Sequence, residues 1–477
     1  MKDYTFIFML YYLDPINSIG VTSELQRYNE MADLLLSMPL RDNNNYILID
    51  TKNENAPGTN QPYRNTKIKL IENKGGGGNK ISNTWANFGV RNIGNGDSLA
   101  GIFLLLKKNF PAKKYVLFTH NHSNFSGHLR SRIVVEAQIK QFLKTYISAN
   151  LNVNINSLMN TEEGGRTAIT NFILPELPDF RNPEVYDMLT NAELSNAIRV
   201  AFVLNENNTE QQTNDEDNRI EALFVDSCYT AAIDNLYLYA ESCKHIVASE
   251  GIINYNSFNI SRILERIYEG NSMENVLKST IYSFRDDFEE LSHHAGHDDY
   301  KRTLITAFSL SYDFKSRFSN AFNALLLDLI ADIDFIAEFV KSLRLTSKFW
   351  KDCFSIYYNR EPRLKDDEKY TFCIDFFSFF QDIYKLTAHR PYSHKVKTVL
   401  DLVRSSIISN YYGDEVEKDQ FSGLSCFVCF VKAQLFEEHN KKKEIEHSYS
   451  FYSLFQNEFA VKSFWPEFIQ ILNKKLE

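Results

Sequence analysis

The stretch Glu221-Ala-Leu-Phe-Val-Asp-Ser-Cys-Tyr-Thr230 decides the fold class. Its apolar run, Ala222 to Val225, is typical of a short buried strand, and a helical pattern begins at Tyr229 and continues to Ser242. Parallel strands need a long crossover between them, and that crossover is usually a helix. A buried strand that passes into a helix therefore predicts an α/β protein with a mostly parallel sheet and helices on both of its faces.

Cys228 lies between this strand and this helix. A helix N-terminus favours a thiolate, and ligands of α/β proteins reach the carboxyl ends of the strands. The position therefore suits a nucleophile. The alternative is a buried cysteine that only fills space, since free cysteine is among the most buried residue types.

A second segment of the same design supplies a base. The segment Pro111-Ala-Lys-Lys-Tyr-Val-Leu-Phe-Thr-His120 follows a helical pattern from Asp97 to Lys108 and ends an apolar strand with His120. A catalytic thiol needs an imidazole that is close in space, not in sequence. Two parallel strands ending in His120 and Cys228 predict such a pair.

Strand-like and helix-like patterns alternate through the first half of the chain. Beyond about Tyr300 the pattern changes to long aromatic-rich helices, and only Leu424 to Phe430 resembles a strand. We therefore predict an α/β domain over residues 1–300 and a mostly helical accessory lobe over residues 301–477. Further predicted elements of the first half are strands at Tyr4 to Leu13, Tyr46 to Asp50, Thr66 to Ile71 and His245 to Ala248, and helices at Ser23 to Met38, Ser131 to Ser148 and Thr190 to Leu204, the last opened by a capping box at Thr190 and Glu193.

Composition excludes several classes of function. The 52 basic and 61 acidic residues give a net charge of −9, and no basic stripe is interleaved with aromatic residues, so nucleic acid is not expected as a partner. No stretch reaches the ~20 apolar residues of a membrane-spanning helix, so no membrane partner is expected. Six scattered cysteines in 477 residues are too few for a disulfide framework, which favours a cytoplasmic protein.

Several segments, taken in order, resemble the clostripain-like cysteine peptidases, a branch of the caspase-like (caspase–hemoglobinase) clan. The resemblance spans nearly the whole chain, and the order of the segments carries it. The matching segments are Met9-Leu-Tyr-Tyr-Leu-Asp14, the Pro-Ala-Lys-Lys-Tyr run before His120, Leu189-Thr-Asn-Ala-Glu-Leu194, Phe224-Val-Asp-Ser-Cys228, Val247-Ala-Ser-Glu250, Ser309-Leu-Ser-Tyr-Asp313, Ile374-Asp-Phe-Phe-Ser-Phe379, Gly423-Leu-Ser425, and Phe459-Ala460 with Trp465.

The resemblance implies a caspase-like sheet in which Cys228 is the nucleophile and His120 carries the proton. His122 is an alternative base, because it lies two residues further on and would point the same way from an extended backbone. The family commonly has glycine after the histidine, and this chain has Asn121. Its backbone amide remains, so Asn121 and Cys228 can still supply the N–H groups of an oxyanion hole.

The resemblance also implies that Asp226 forms the floor of the pocket that binds Arg or Lys before the scissile bond. A structural carboxylate bonded to nearby backbone amides is the alternative for Asp226. The chain departs from the family after Glu250, where Gly251-Ile-Ile-Asn-Tyr-Asn-Ser257 replaces a Gly-Trp-Pro-like stretch. This departure affects the pocket wall and therefore the basic preference.

The expected function is a cysteine endopeptidase that acts on protein or peptide substrates after Arg or Lys. Family members can mature by self-cleavage after a basic residue between the histidine and the cysteine, which makes Arg130, Arg132, Arg166 and Arg219 candidate sites. The chemistry requires no metal or cofactor; calcium dependence occurs in the family, but the sequence identifies no calcium ligands. Two alternatives are an inactive caspase-like scaffold and an effector that a regulatory protein partner activates.

Overall fold

The computed structural model describes most of both halves of the chain. Its described residues are 1–12, 21–55, 62–73, 79–81, 84–88, 96–120, 123–124, 127–128, 189–204, 217–227, 230–251, 253, 258–291, 303–346, 371–414, 416, 421–430 and 458–476. The predicted helix from Ser131 to Ser148 lies outside them. The other predicted elements of the first half are present, with ends that differ by a few residues.

Strands and helices alternate up to residue 268 and then give way to helices with a few late strands. The strands are β1 Lys2–Tyr12, β2 Asn44–Asn55, β3 Pro62–Asn73, β4 Asn79–Ile81, β5 Ala86–Asn87, β6 Ala112–His120, β7 Ser123–Asn124, β8 Gly127–His128, β9 Leu189–Thr190, β10 Ala222–Asp226, β11 His245–Ser249, β12 Leu304–Ser309, β13 Thr371–Asp375, β14 Ile407–Tyr412 and β15 Ser425–Phe430. The α-helices are α1 Val21–Ser37, α2 Gly96–Asn109, α3 Asn191–Ile198, α4 Ile233–Tyr239, α5 Ile260–Tyr268, α6 Met273–Tyr282, α7 Phe284–Leu291, α8 Phe314–Ala331, α9 Ile333–Thr346, α10 Phe376–Leu386, α11 Ser393–Arg404, α12 Glu458–Lys462 and α13 Trp465–Leu476. A short π-helix, Arg199–Val203, continues α3.

One ten-stranded sheet forms the centre of the molecule. Its order is β14-β12-β11-β10-β6-β1-β2-β3-β4, with β5 paired to β3. The five strands in the middle, β11, β10, β6, β1 and β2, are parallel, and the outer pairs are antiparallel. The predicted mostly parallel α/β sheet is confirmed.

Both faces of this sheet are covered, as its apolar central strands require. Alternate residues of each strand reach opposite faces. On one face Ile7, Leu117 and Leu223 belong to a core that also includes α2, α3, α4 and α8. On the other face Phe8, Phe118 and Phe224 belong to a second core, which α1, α5 and α6 cover. The prediction of helices on both faces is also confirmed.

The second half of the chain contains more strands than its sequence predicts. Besides β15, it forms β12, β13 and β14, so the expectation of a single strand there was wrong. β12 and β14 extend the main sheet beyond β11, and β13 pairs with β15 in a separate small sheet. The division at residue 300 stays a prediction, but the main sheet itself includes strands from both sides of it.

The helices of the second half pack into the first of the two cores. Phe318, Phe322, Phe376 and Trp465 are fully buried there, and their rings contact one another. These four rings are therefore part of the core, whereas Tyr312 and Tyr384 are exposed. None of the helices described has the length and apolar character needed to cross a membrane.

Candidate active site

His120 and Asp226 lie directly opposite each other at the ends of two neighbouring parallel strands. β6 and β10 pair in a register that runs from Val116 beside Ala222 to His120 beside Asp226. His120 Nδ1 lies 2.9 Å from Asp226 Oδ2, the length of a hydrogen bond. Both side chains are buried, at 10% and 6% exposure. The sheet thus joins the predicted base and the predicted acidic residue of the site.

A row of stacked aromatic rings lies immediately before this pair. Phe8, Phe118 and Phe224 occupy β1, β6 and β10, and their ring centroids are 5.0 Å and 4.7 Å apart in turn. The residues two positions further along β6 and β10 are His120 and Asp226. Because strand residues two apart share a face, the pair rests on a tightly packed row at the edge of the sheet.

Three predicted site residues, Asn121, His122 and Cys228, lie outside the residues described. The residues that flank Cys228 are well fixed. Ser227 and Thr230 are buried, the Thr230 hydroxyl donates to the Ser227 carbonyl at 3.3 Å, and Asn235 Nδ2 donates to the Thr230 carbonyl at 3.0 Å. The two ends of the segment that contains Cys228 are therefore held at the same edge of the sheet as His120.

The helix after Cys228 begins later than the sequence predicts. It was expected from Tyr229, whereas α4 spans Ile233–Tyr239 with Ala232 as its N-cap. Ala231 is instead in an extended segment, where its N–H donates to the Ser249 carbonyl at 2.8 Å and its carbonyl accepts from the Ser425 N–H at 2.9 Å. The expected start of this helix at Tyr229 was therefore wrong, and the structure gives no support to the helix-dipole argument for Cys228.

Asp226 retains one oxygen that its bond to His120 does not use. Oδ2 pairs with His120, and Oδ1 is buried with no hydrogen-bond partner among the residues described. Among the residues that the structure describes, no backbone amide is seen to donate to Asp226, as the alternative of a structural carboxylate would require. The assignment of Asp226 to a pocket for Arg or Lys stays a prediction.

A buried acidic cluster, formed by Glu250 and Asp375, lies at the same edge of the sheet and was not predicted. Gly423 N–H donates to Glu250 Oε2 at 2.9 Å, just after β11. Asp375 Oδ2 accepts from the Ser422 N–H and hydroxyl at 2.5 and 2.6 Å. Burial raises the pKa of Asp375, and burial together with the neighbouring Asp375 charge raises that of Glu250.

This cluster connects the second half of the chain to the segment after Cys228. Ser422 and Gly423 bond to Asp375 and Glu250, and two residues later the Ser425 N–H bonds to Ala231. The sequence contained the signal, since Glu250, Asp375 and Gly423 all fall within segments that carry the family resemblance. Their mutual contact depends on a separation of 173 residues, which local patterns do not reveal.

Two further results concern metals and the other thiols. Over the ranges that the structure describes, no group of three or more His, Cys, Asp or Glu side chains could hold a metal ion. Cys243 and Cys426 are both buried. Burial raises the pKa of Cys243 to about 12, so that thiol is unreactive.

The chain matches no protein-family model and no curated protein sequence. It is similar to solved structures of C11 (clostripain-like) cysteine proteases, and each match covers 94% of the present chain. One is an inactive zymogen C11 protease from Parabacteroides distasonis, at 13% identity, 98% coverage of that chain and a TM-score of 0.47. A second is a secreted C11 cysteine protease from Bacteroides thetaiotaomicron, "iotapain", at 12% identity and a TM-score of 0.48. A third is a secreted C11 cysteine protease from the same organism in complex with an irreversible peptide inhibitor, at 13% identity and a TM-score of 0.49. Both are covered over 99% of their length.

Proposed function

We propose that this protein is a cysteine endopeptidase in which Cys228 and His120 form the catalytic dyad. The observation that carries the proposal is the register of β6 and β10, which sets His120 beside Asp226, two residues before Cys228. The residues on either side of Cys228 are buried and hydrogen-bonded at that edge. A thiol and an imidazole at the carboxyl ends of neighbouring parallel strands suit nucleophilic catalysis.

The proposed reaction has two stages. The Cys228 thiol gives its proton to His120 and attacks the peptide carbonyl carbon, and the C–N bond then breaks as His120 protonates the leaving amine. Water then attacks the thioester carbon and gives a proton to His120; the C–S bond breaks, the acid leaves, and His120 returns the proton to the Cys228 sulfur. Backbone N–H groups of Asn121 and Cys228 would hold the oxyanion in both stages. No metal ion or calcium takes part in these steps.

We further propose that substrates carry Arg or Lys before the scissile bond. Asp226 Oδ1, which is buried without a partner among the residues described, supports this proposal. A guanidinium or ammonium group reaching Oδ1 would form a charge-assisted hydrogen bond in a site of low polarity. The substrate class is therefore a protein or peptide with an accessible basic residue, and the proposed location is the reducing cytoplasm.

We propose maturation by self-cleavage after Arg130, Arg132 or Arg166, which lie outside the described residues. Arg219 is unsuited because its buried side chain is already fully engaged. Its Nη1 donates to the carbonyls of Ala240, Cys243 and Leu310 at 2.9, 3.2 and 2.8 Å, and its Nε and Nη2 bond to Asp217. A substrate arginine must instead enter the pocket of the enzyme. Wild type should separate into two fragments on a denaturing gel, whereas Cys228→Ala should stay intact.

The dyad is tested with fluorogenic peptides that carry Arg, Lys or Gln before the scissile bond. Wild type should cleave the Arg and Lys peptides. Cys228→Ala should abolish cleavage, and His120→Ala should lower kcat/KM by roughly 10³-fold or more, because the thiolate and the proton donor are both lost. Full activity in Cys228→Ala would refute the proposal. His122→Ala separates the two candidate bases: it should stay within about twofold of wild type.

An inactive scaffold is the second candidate function. The observations that favour it are Asn121 in the position where the family commonly has glycine, and the start of α4 at Ile233, five residues after Cys228. An active-site-directed acyloxymethyl ketone probe with a basic side chain discriminates between the two. Labelling of Cys228 in wild type supports the peptidase. Absence of labelling, both alone and after addition of candidate activating proteins, supports the scaffold.

A further inference from the structure

We propose that Asp226 is a positioning residue for catalysis, which holds the His120 ring through Nδ1 and leaves Nε2 as the nitrogen that exchanges the proton. The inference rests on the proposed function, and it gives Asp226 a role in addition to binding basic substrates. It assigns the two carboxylate oxygens different tasks. Oδ2 orients the base, and Oδ1 remains for the substrate.

The register of the two strands places His120 beside Asp226. β10 and β6 are the fourth and fifth strands of the main sheet as counted from β14, so each has a paired strand on both sides. His120 and Asp226 are register partners, and neighbouring strands lie about 4.8 Å apart. At that separation a histidine Nδ1 and an aspartate oxygen can meet without strain, and the observed distance is 2.9 Å.

Burial makes the contact stronger and more selective than a surface pair. The side chains of His120 and Asp226 are 10% and 6% exposed. A hydrogen bond to an ionised group is stronger than a neutral one, and low local polarity strengthens it further. The stacked Phe118 and Phe224 side chains lie two residues before His120 and Asp226 on the same face of the sheet.

The chemical consequence follows from the two nitrogens of the ring. When Nδ1–H donates to Asp226 Oδ2, the neutral imidazole carries its lone pair on Nε2. That nitrogen can then take the proton of the Cys228 thiol. The carboxylate stabilises the resulting imidazolium, which later returns the proton to the leaving amine. Asp226 itself neither gains nor loses a proton in this sequence.

Asp50, at the same level of the sheet as His120 and Asp226, offers a matched control substitution. Asp50 on β2 is in register with Leu10 on β1, which is in register with His120. Asp50 is fully buried like Asp226, but it bonds to Tyr28 at 2.5 Å and to Lys69. A substitution at Asp50 therefore removes a buried carboxylate at the same edge without removing the partner of His120.

The test measures the rate at which iodoacetamide alkylates Cys228 in the full chain, from pH 5 to pH 9. Mass spectrometry of the peptide that contains Cys228 follows the reaction. Iodoacetamide is small and uncharged, so the rate reports the thiolate and not the substrate pocket. Wild type should react below pH 7, where an ordinary thiol of pKa about 8.5 is slow. Asp226→Asn should lower the rate at pH 6 on the order of 10-fold or more, because an amide can donate to Nδ1 and favour the wrong tautomer.

Control variants distinguish a failure of the positioning role from a failure of the proposed function. Asp50→Asn should stay within about twofold of wild type, and Asp226→Glu should recover part of the loss. A pH profile of folded Asp226→Asn that superimposes on wild type would overturn the positioning role alone. Wild type that reacts only as an ordinary thiol, equal to His120→Ala, would overturn the proposed function itself. The pocket role is read independently, as the ratio of kcat/KM for Arg and Gln peptides.

Discussion

Asp234 is a buried carboxyl in the first turn of α4, the helix that follows the candidate nucleophile. Burial raises its pKa to about 7. Its Oδ1 has no hydrogen-bond partner within the described ranges. The folded protein therefore keeps Asp234 protonated at a pH where the unfolded chain has already ionised it.

This difference predicts a pH dependence of stability at the level of a single residue. The raised pKa contributes stability below about pH 4, and that contribution is lost as pH rises to about 7. Asp234→Asn stays neutral throughout, so it should be more stable than wild type at pH 8, by up to about 4 kcal/mol. The difference should vanish near pH 4. Urea unfolding of both proteins at pH 4, 6 and 8 measures it, and a constant difference across this range would contradict the prediction.

His120 and Asp226 show which features of the site the sequence predicts and which it does not. The strand-end positions of His120 and Asp226 follow from short apolar runs, which are local patterns. The bond between their side chains depends on the register of two strands whose partners are 106 residues apart. Register is set by packing of whole faces, so the sequence could suggest His120 as a candidate base but not its hydrogen bond to Asp226.

At the scale of elements, the clearest difference between prediction and structure is the start of α4. The apolar residues Ala232, Ile233 and Leu236 fit a helical pattern that begins at Tyr229. Long-range backbone bonds from Ala231 to Ser249 and Ser425 hold the first part of this segment extended. Such bonds satisfy backbone groups that a helix would otherwise satisfy, and they come from distant strands that a local pattern does not include. The capping box at Thr190 and Glu193, a local feature, was predicted and is confirmed.

The turn before β15 gives a testable case at this scale. Gly423 has a φ of +89°, and a Cβ there would lie 2.0 Å from Thr306 Oγ1, which donates to the Gly423 carbonyl. Gly423→Ala should therefore cost about 2–4 kcal/mol, from backbone strain and from displacement of Thr306. Gly270 has a φ of +81° with open space around it, so Gly270→Ala should cost only about 1 kcal/mol. Equal losses in urea unfolding would show that the contact with Thr306 carries no energy.

At the scale of the whole molecule, the aromatic second half and the α/β first half share one core. β12 and β14 continue the sheet beyond β11, and the cluster that contains Phe103 also contains Phe322. The sequence predicted a separate helical lobe because long aromatic helices look self-sufficient in isolation. The burial of their apolar faces against the sheet depends on tertiary contacts, which composition does not specify.

A shared core predicts that the full chain unfolds as one unit. Phe322 in α8 is buried and packs against Phe376, Phe380 and Trp465. Phe322→Ala should remove about 3–5 kcal/mol, and Phe103→Ala in α2 should remove a similar amount. Because both rings belong to the same cluster, calorimetry should show a single transition that each substitution moves to lower temperature. Two transitions, of which Phe322→Ala moves one and Phe103→Ala the other, would instead establish two independently folding domains divided near residue 300.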